Sequence, residues 1–397
     1  MSASTPLPAS GNGNPRPARR WCVPPAILRE AGETLEGVHI LTEFPSHLGL
    51  LLFVSARDVT LWSSIPGGAR ADVFAPAAAQ RRRHLHRCAA PPQELAQPMG
   101  VLESLVARPA DSDPAELAAA CLAVSDWAGA EGGAATALTF AQAGATASPR
   151  DPAPALRAGT LALRQGKDFR GESWLRRAVG LARHGIDRRA YGEAQVQLGG
   201  LYLGRGDLPA AEKAFMAGVR AGQRCAAAEV RAGGYHGLFQ VSMARGDEVG
   251  AERFARLAVR IRGREHEGYR ALAHGLASLW VGQGKHARAL VLLRELAPAR
   301  RDTATRGASL ALLARAAAGA GEPEEYDRAW SQAWTLLRRL GVSDTTHHPF
   351  VDLARAARSA GDLHRLNQAL RAARAVAANP RDSAAVTAAE AEIRAPA

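Results

Sequence analysis

Three side chains able to bind a soft metal stand close together at His84, His86 and Cys88. On a helix, residues two apart lie on different faces, so His86 points away from the His84–Cys88 pair. The favoured reading is a polar surface. Gly282-Gln283-Gly284-Lys285 has the glycines and lysine of a phosphate-binding loop, but His286 stands where a serine or threonine must reach magnesium. Glu265-His266-Glu267 has no second histidine at helical spacing, and no Gly-x-Ser-x-Gly elbow occurs. His347 and His348 precede Pro349 in a stretch, Thr345 to Pro349, that reads as a linker. No residue set is therefore expected to hold a metal or a cofactor, and the chain is expected not to be an enzyme.

The elements that carry these residues are helical. Aromatic residues make up only 5% of the chain, alanine dominates, and alternating runs of β-branched residues are short. The expected fold class is all-α. The formal charge of +12 raises the question of nucleic acid. Only Lys167, Lys213 and Lys285 are lysines, and the arginines are spread along the chain near Asp and Glu. This pattern fits a GC-rich coding bias, so nucleic acid is not the expected partner. Cys22, Cys88, Cys121 and Cys225 lie far apart, as expected of reduced thiols. Residues 1–20 have no apolar core of a signal peptide, and the longest apolar run, Leu48 to Val54, is too short to span a bilayer. A cytoplasmic location is expected.

Residues 1–20 read as a disordered tail. Residues 21–110 read as a small helical cap, with helices over Ala26–Leu35, His47–Trp62, Pro76–Ala89 and Pro98–Val106. From about residue 111 to 380 the chain repeats itself. The turns centre on Gly166, Gly206, Gly246, Gly284, Gly321 and Gly361, spaced 40, 40, 38, 37 and 40 residues apart. A more degenerate unit turns near Glu131-Gly132. A constant step of this length marks an array of helix pairs, an α-solenoid. Each glycine is expected to end the first helix in a left-handed or otherwise open conformation so that the second folds back.

Flanking positions support this reading. Seven residues before each glycine stand Gly159, Gly199, Phe239, Ala277, Ala314 and Ala354. Five after it stand Gly171, Ala211, Ala251, Ala289, Tyr326 and Leu366, and nine after it Leu175, Phe215, Ala255, Leu293, Trp330 and Leu370. Small and large side chains are expected to interlock at these positions. Trp330 and Trp334 share a helical face, and residues 381–397 give a closing helix, over 382–394, and a tail.

Leu198-Gly199-x-x-Tyr202 followed by Ala211-x-x-x-Phe215-x-x-Gly218 resembles the tetratricopeptide repeat signature. Gly246 to Val259 and Gly284 to Ala297 fit its second half, and the resemblance covers roughly residues 114–380. The signature's early tryptophan is absent, Tyr326 and Leu366 replace small residues, and the step exceeds the usual ~34 residues.

The resemblance implies that the first helix of each pair lines a concave groove and that a protein or peptide docks there. Carried over unit by unit, its two binding positions lie ten and six residues before each turn glycine. The first holds Leu156, Val196, His236, His274, Ala311 and Val351, and the second holds Thr160, Gly200, Gln240, Ser278, Arg315 and Arg355. The expected ligand contacts are His236, Gln240, His274, Ser278, Arg315 and Arg355, facing a peptide that is acidic or ends in a carboxylate. The expected function is a protein-binding scaffold. The alternative is a regulatory solenoid with a basic surface toward nucleic acid.

Overall fold

The computed structural model describes residues 38–262, 269–296, 304–340, 347–377 and 380–395. The expected helix at Ala26–Leu35 and Cys22 lie outside these residues. The chain divides into two units, residues 1–201 and 202–397. Among the described residues both are built of α-helices, with two short 3₁₀ turns at Gly67–Asp72 and Gln93–Leu95 in the first.

In the first unit, α1 (Val38–Glu43) is a single turn and a half that the sequence did not announce. Helices α2 (His47–Ser64), α3 (Ala78–Ala89) and α4 (Ala96–Ala107) come next. They fall close to the spans expected from the Ser46 cap and the proline stops, and the Ser46 hydroxyl accepts from the Leu48 N–H at 3.1 Å. Then come α5 (Pro114–Ala130), α6 (Ala134–Ala147), α7 (Pro152–Arg164) and α8 (Asp168–His184). Helix α2 packs on α6, and α4 on α5. Trp62, Leu51, Leu52, Met99, Leu102, Val124 and Phe140 form their shared core. Glu43 reaches across ninety residues of sequence to cap α6, accepting from the Ala135 and Thr136 N–H groups at 2.9 and 2.8 Å. A carboxylate there satisfies two orphan amides and the positive helix end together.

Helix α9 (Arg188–Gly204) carries the division between units. The second unit continues with α10 (Leu208–Arg224), α11 (Ala228–Arg245), α12 (Glu248–Arg262), α13 (Tyr269–Gly282), α14 (His286–Leu296), α15 (Ala304–Ala320) and α16 (Pro323–Leu340). Helices α17 (His347–Ser359), α18 (Leu363–Val376) and α19 (Pro380–Arg394) complete it. Pairs α11/α12, α13/α14, α15/α16 and α17/α18 are antiparallel partners, each closed by a repeat turn. The closing helix expected over 382–394 is α19.

The turns are nearly identical. Gly132, Gly166, Gly206, Gly246, Gly284, Gly321 and Gly361 all have φ between 71° and 83°. The residue after each of these seven glycines donates its N–H to a carbonyl five residues back: Gly133 to Ala128, Lys167 to Ala162, Asp207 to Tyr202, Asp247 to Ser242, Lys285 to Trp280, Glu322 to Ala317 and Asp362 to Ala357. This is the bonding of a Schellman C-cap, which needs a left-handed residue. Asp207, Asp247 and Asp362 then cap the second helix, accepting from Ala210, Gly250 and Arg365 at 3.0, 2.9 and 2.9 Å. All eighteen flanking residues expected to interlock are buried.

One expectation needs correction. His347, His348 and Pro349 form no linker but the first turn of α17. Proline is tolerated there because the first-turn N–H groups have no helical partner. Phe239, the large residue at a small position, is accommodated by its neighbour: a Cβ on Gly275 of α13 would stand 2.9 Å from the Phe239 ring.

Asp58 of α2 and Arg82 of α3 form an ion pair with side chains 3% and 8% exposed. Burial pushes the Asp58 carboxyl up and the Arg82 guanidinium down, each against the pull of the other charge. Arg82 Nε and Nη1 have no hydrogen-bond partner. Desolvation thus outweighs attraction. Arg82→Met alone is expected to lose about 3 kcal/mol of stability, and Asp58→Leu/Arg82→Met to recover most of it; urea unfolding of the two variants measures this.

Three glycines separate the roles of turn, close approach and open surface. At Gly200 a Cβ meets nothing within 4 Å and φ is ordinary, so Gly200→Ala is expected to stabilise by about 0.5–1 kcal/mol. Gly206→Ala meets no atoms either, but forces φ +77°, for an expected loss of about 1–2 kcal/mol. Gly237→Ala drives a methyl to 2.2 Å from the Phe215 ring and is expected to cost about 1–3 kcal/mol through overpacking. Denaturation midpoints of the three variants give the order.

Candidate functional site

Successive first helices of the second unit carry the six expected contact residues: His236 and Gln240 on α11, His274 and Ser278 on α13, Arg315 on α15, Arg355 on α17. The two residues on α11, like the two on α13, are four apart and therefore share a face. Gln240 is exposed, and the other five are half-buried. The remaining members of the ten-before row do not extend the strip toward α17. Ala311 and Val351 are 0% and 5% exposed because α15 and α17 pack closely there.

Polar bonds join neighbouring first helices along this row. The His274 Nδ1 lies 3.3 Å from the Ser309 hydroxyl of α15. Arg315 donates to Asp352 of α17 at 2.9 Å, and Arg355 donates to Glu392 of α19 at 2.8 Å. The His236 ring rests against Phe239 with centroids 6.3 Å apart. The row is therefore a ladder in which basic and acidic groups alternate, rather than a uniformly basic strip. The sequence placed the arginines but missed their acids. Asp352 and Glu392 each lie 37 residues after their arginine, one repeat step, and that periodic offset is the signal that was available.

A second ladder runs along the opposite helices. Arg288 of α14 reaches Glu252 of α12 at 3.1 Å, Arg294 of α14 reaches Glu322 at 2.6 Å and Glu325 of α16 at 2.5 Å, and Arg365 of α18 pairs with Asp327 of α16. Glu252 is held below the usual carboxylate range by Arg256, Arg288 and Lys285 against a burial effect that pushes it up. The Arg365 guanidinium also lies 4.8 Å over the Trp330 ring, which stacks on Trp334 at 5.1 Å.

The residues considered for metal chemistry do not come together. His84 Nε2 lies 3.7 Å from Cys88 Sγ, whereas His86 turns to Glu103 at 3.0 Å. Among the described residues no group of three or more His, Cys, Asp and Glu could hold a metal ion. Cys121 is fully buried, and burial pushes its thiol up to about 12, so it is not nucleophilic. No helix among the described residues is long and apolar enough to cross a membrane. Gly284 and Lys285 form a repeat turn, and Glu265-His266-Glu267 lies outside the described residues.

Antiparallel helix pairs closed by a shared glycine turn, repeated in near-constant step, make this a helical repeat protein. No family model and no curated protein matches the chain. Solved structures similar to it include PilF of Pseudomonas aeruginosa, 15% identical, with a TM-score of 0.47 over 56% of this chain and 93% of that one. The apo form of RapI is 12% identical, with a TM-score of 0.48 over 69% of this chain and 99% of that one. A Rap protein complexed with competence and sporulation factor is 10% identical, with a TM-score of 0.45 over 87% and 99%.

Burial holds the His274 imidazole below its usual 6.5, with Asp352 pulling weakly upward, and His286 is held down by burial and by Arg315. The unfolded chain takes up these protons near 6.5 while the folded chain resists them. Their contribution is thus present above that pH and is lost as the pH falls through and below it. Stability is expected to decline on acidification from 6.5, by at most ~1.4 kcal/mol per pH unit for each histidine. His274→Gln should flatten the decline, as urea midpoints at pH 7.5 and 5.5 would show.

Proposed function

We propose that the second unit is a binding scaffold for another protein, and that an extended segment of that partner lies across α11, α13, α15 and α17. The observation that carries this reading is the row of polar side chains at successive first helices, beginning with exposed Gln240 and ending with Arg355. Packed helices stand ~8–10 Å apart. An extended chain advances ~3.3 Å per residue, so every third residue of a bound peptide meets the next rung. The mechanism is docking, without bond chemistry or a cofactor.

The charges refine the ligand. Arg315 shares its charge with Asp352, which is only 21% exposed, and releasing that carboxylate would leave it poorly solvated. Arg355 is paired with Glu392, which is 68% exposed and readily hydrated once displaced. Arg355 is accordingly the anchor for an acidic side chain or a C-terminal carboxylate, while His236, Gln240 and Ser278 supply hydrogen bonds. The regulatory, nucleic-acid-facing alternative is not favoured: Arg245, Arg256, Arg288, Arg294, Arg315, Arg355, Arg365 and Arg374 are each paired with an acid of the same chain.

Affinity capture with quantitative mass spectrometry tests the site. His236→Ala/Gln240→Ala/Arg355→Ala is expected to lose a partner that wild type retains, with at least a tenfold drop in its affinity. The control Arg256→Ala/Arg374→Ala on the second helices should keep it. Identical partner lists for wild type and the triple variant, both with unchanged helical circular dichroism, would overturn the assignment.

A further inference from the structure

Between α2 and α6 in the first unit lies a cavity of about 460 Å³, a size within the ordinary range of small-molecule sites. Phe53, Ala56, Leu61 and Ala143 give it apolar walls. Thr60, Thr139 and Thr146 also line it, but each hydroxyl donates to a carbonyl of its own helix, at 2.9, 3.1 and 2.8 Å. Their donors are thus already used.

Two donors are not used up. Gln142 is only 4% exposed, lines the cavity, and its Nε2 has no hydrogen-bond partner. A buried amide donor left unsatisfied is costly, and native cores rarely keep one without a reason. The Nε2 is itself shielded, and a bound ligand would engage it through rotation about the terminal side-chain bond, a broad torsion. Arg57 is the second. Its side chain is 62% exposed at the rim and shares Asp58 with Arg82, spending one Nη2 contact of 3.3 Å. A guanidinium has five N–H donors, so this contact leaves most of its capacity for a ligand at the rim.

An apolar chamber with one amide donor inside and one guanidinium at its mouth complements a group that only accepts hydrogen bonds and carries negative charge. We propose that this cavity binds a small monocarboxylate with an aliphatic body, its carboxylate held by Arg57 and Gln142 and its chain lying against Phe53, Leu61 and Ala143. The site is separate from the polar row on α11 to α17, and neither assignment depends on the other.

Isothermal titration of the full chain with octanoate, using octanol as a neutral probe of the same length, tests it. Saturable one-to-one octanoate binding is expected. Arg57→Ala and Gln142→Leu should each weaken it roughly tenfold or more, and octanol should bind at least tenfold more weakly than octanoate. Because Gln142→Leu removes an unsatisfied buried donor at nearly constant shape, its unliganded melting temperature should equal or exceed that of wild type. Absence of saturable octanoate binding, equal binding of octanol, or wild-type affinity in both variants overturns the proposal. A lowered melting temperature for unliganded Gln142→Leu would assign Gln142 a structural role instead and overturn it equally.

Discussion

The chain depends on a left-handed glycine with a donor just behind it. At φ near +71° to +83° the backbone reverses, and the next N–H returns to the carbonyl five residues earlier. That bond satisfies the otherwise unmatched end of the first helix and fixes where the second begins. Once the reversal is fixed, the two helices must lie antiparallel and close. Close approach requires small residues where backbones meet, which Ala211, Ala251, Ala277, Ala289, Ala314 and Ala354 provide, each fully buried. The alanine content of the chain is therefore a consequence of the turn as much as of helix propensity.

A pair closed in this way still has an apolar face and no means of choosing its neighbour. Alanine contacts tolerate sliding, since methyl groups present few features to register. Polar bonds at one-repeat offsets supply the register: Arg315 to Asp352, Arg355 to Glu392, Arg288 to Glu252 and Arg365 to Asp327 span 36 to 38 residues. Individually such half-exposed pairs contribute little. Their value lies in direction, because a helix displaced by one turn would give up every one of these pairs together. Several arginines of the second unit are committed in this way to an acid on a neighbouring helix.

Local rules proved legible and distant ones did not. The seven turn glycines, the eighteen interlocking positions and the α2 to α4 spans come from residue type within one or two turns of helix, where propensity, caps and periodicity act. Glu43 capping α6, Gly275 making room for Phe239, and Asp352 paired with Arg315 each join residues far apart in sequence. No local pattern specifies them. His347-His348-Pro349 departs from the linker reading because proline is a breaker in mid-helix but welcome in a first turn, and the helical run from Phe350 onward decides between the two. The candidate contact residues do lie on consecutive first helices, as their spacing implies; that their charges are already matched is hinted at by the 37-residue offset of the acids and fixed only by the register between helices.

A scaffold whose core is mostly alanine and leucine has few buried polar atoms to satisfy, which makes the exceptions informative. Among the described residues of the first unit they include the hydroxyls of Ser55, Ser125 and Thr136 and four larger groups, Asp58, Arg82, Gln142 and Arg170, each less than a tenth exposed. Asp58 and Arg82 answer one another at a desolvation cost that an apolar pair would avoid. Gln142 has no such answer for its Nε2. Among the described residues of the second unit the buried polar side chains are Ser242 and Ser309, small hydroxyls that helices absorb easily. Asp58, Arg82 and Gln142 thus put much of the costly polar burial around α2, next to the cavity, with Arg170 of α8 apart from them, whereas the ion pairs of the second unit sit at partly exposed edges where water can solvate a released partner. The two kinds of surface suit different tasks: an exchangeable polar row can trade an internal ion pair for an external one, while a buried amide lining an apolar chamber can be answered only by something that enters it.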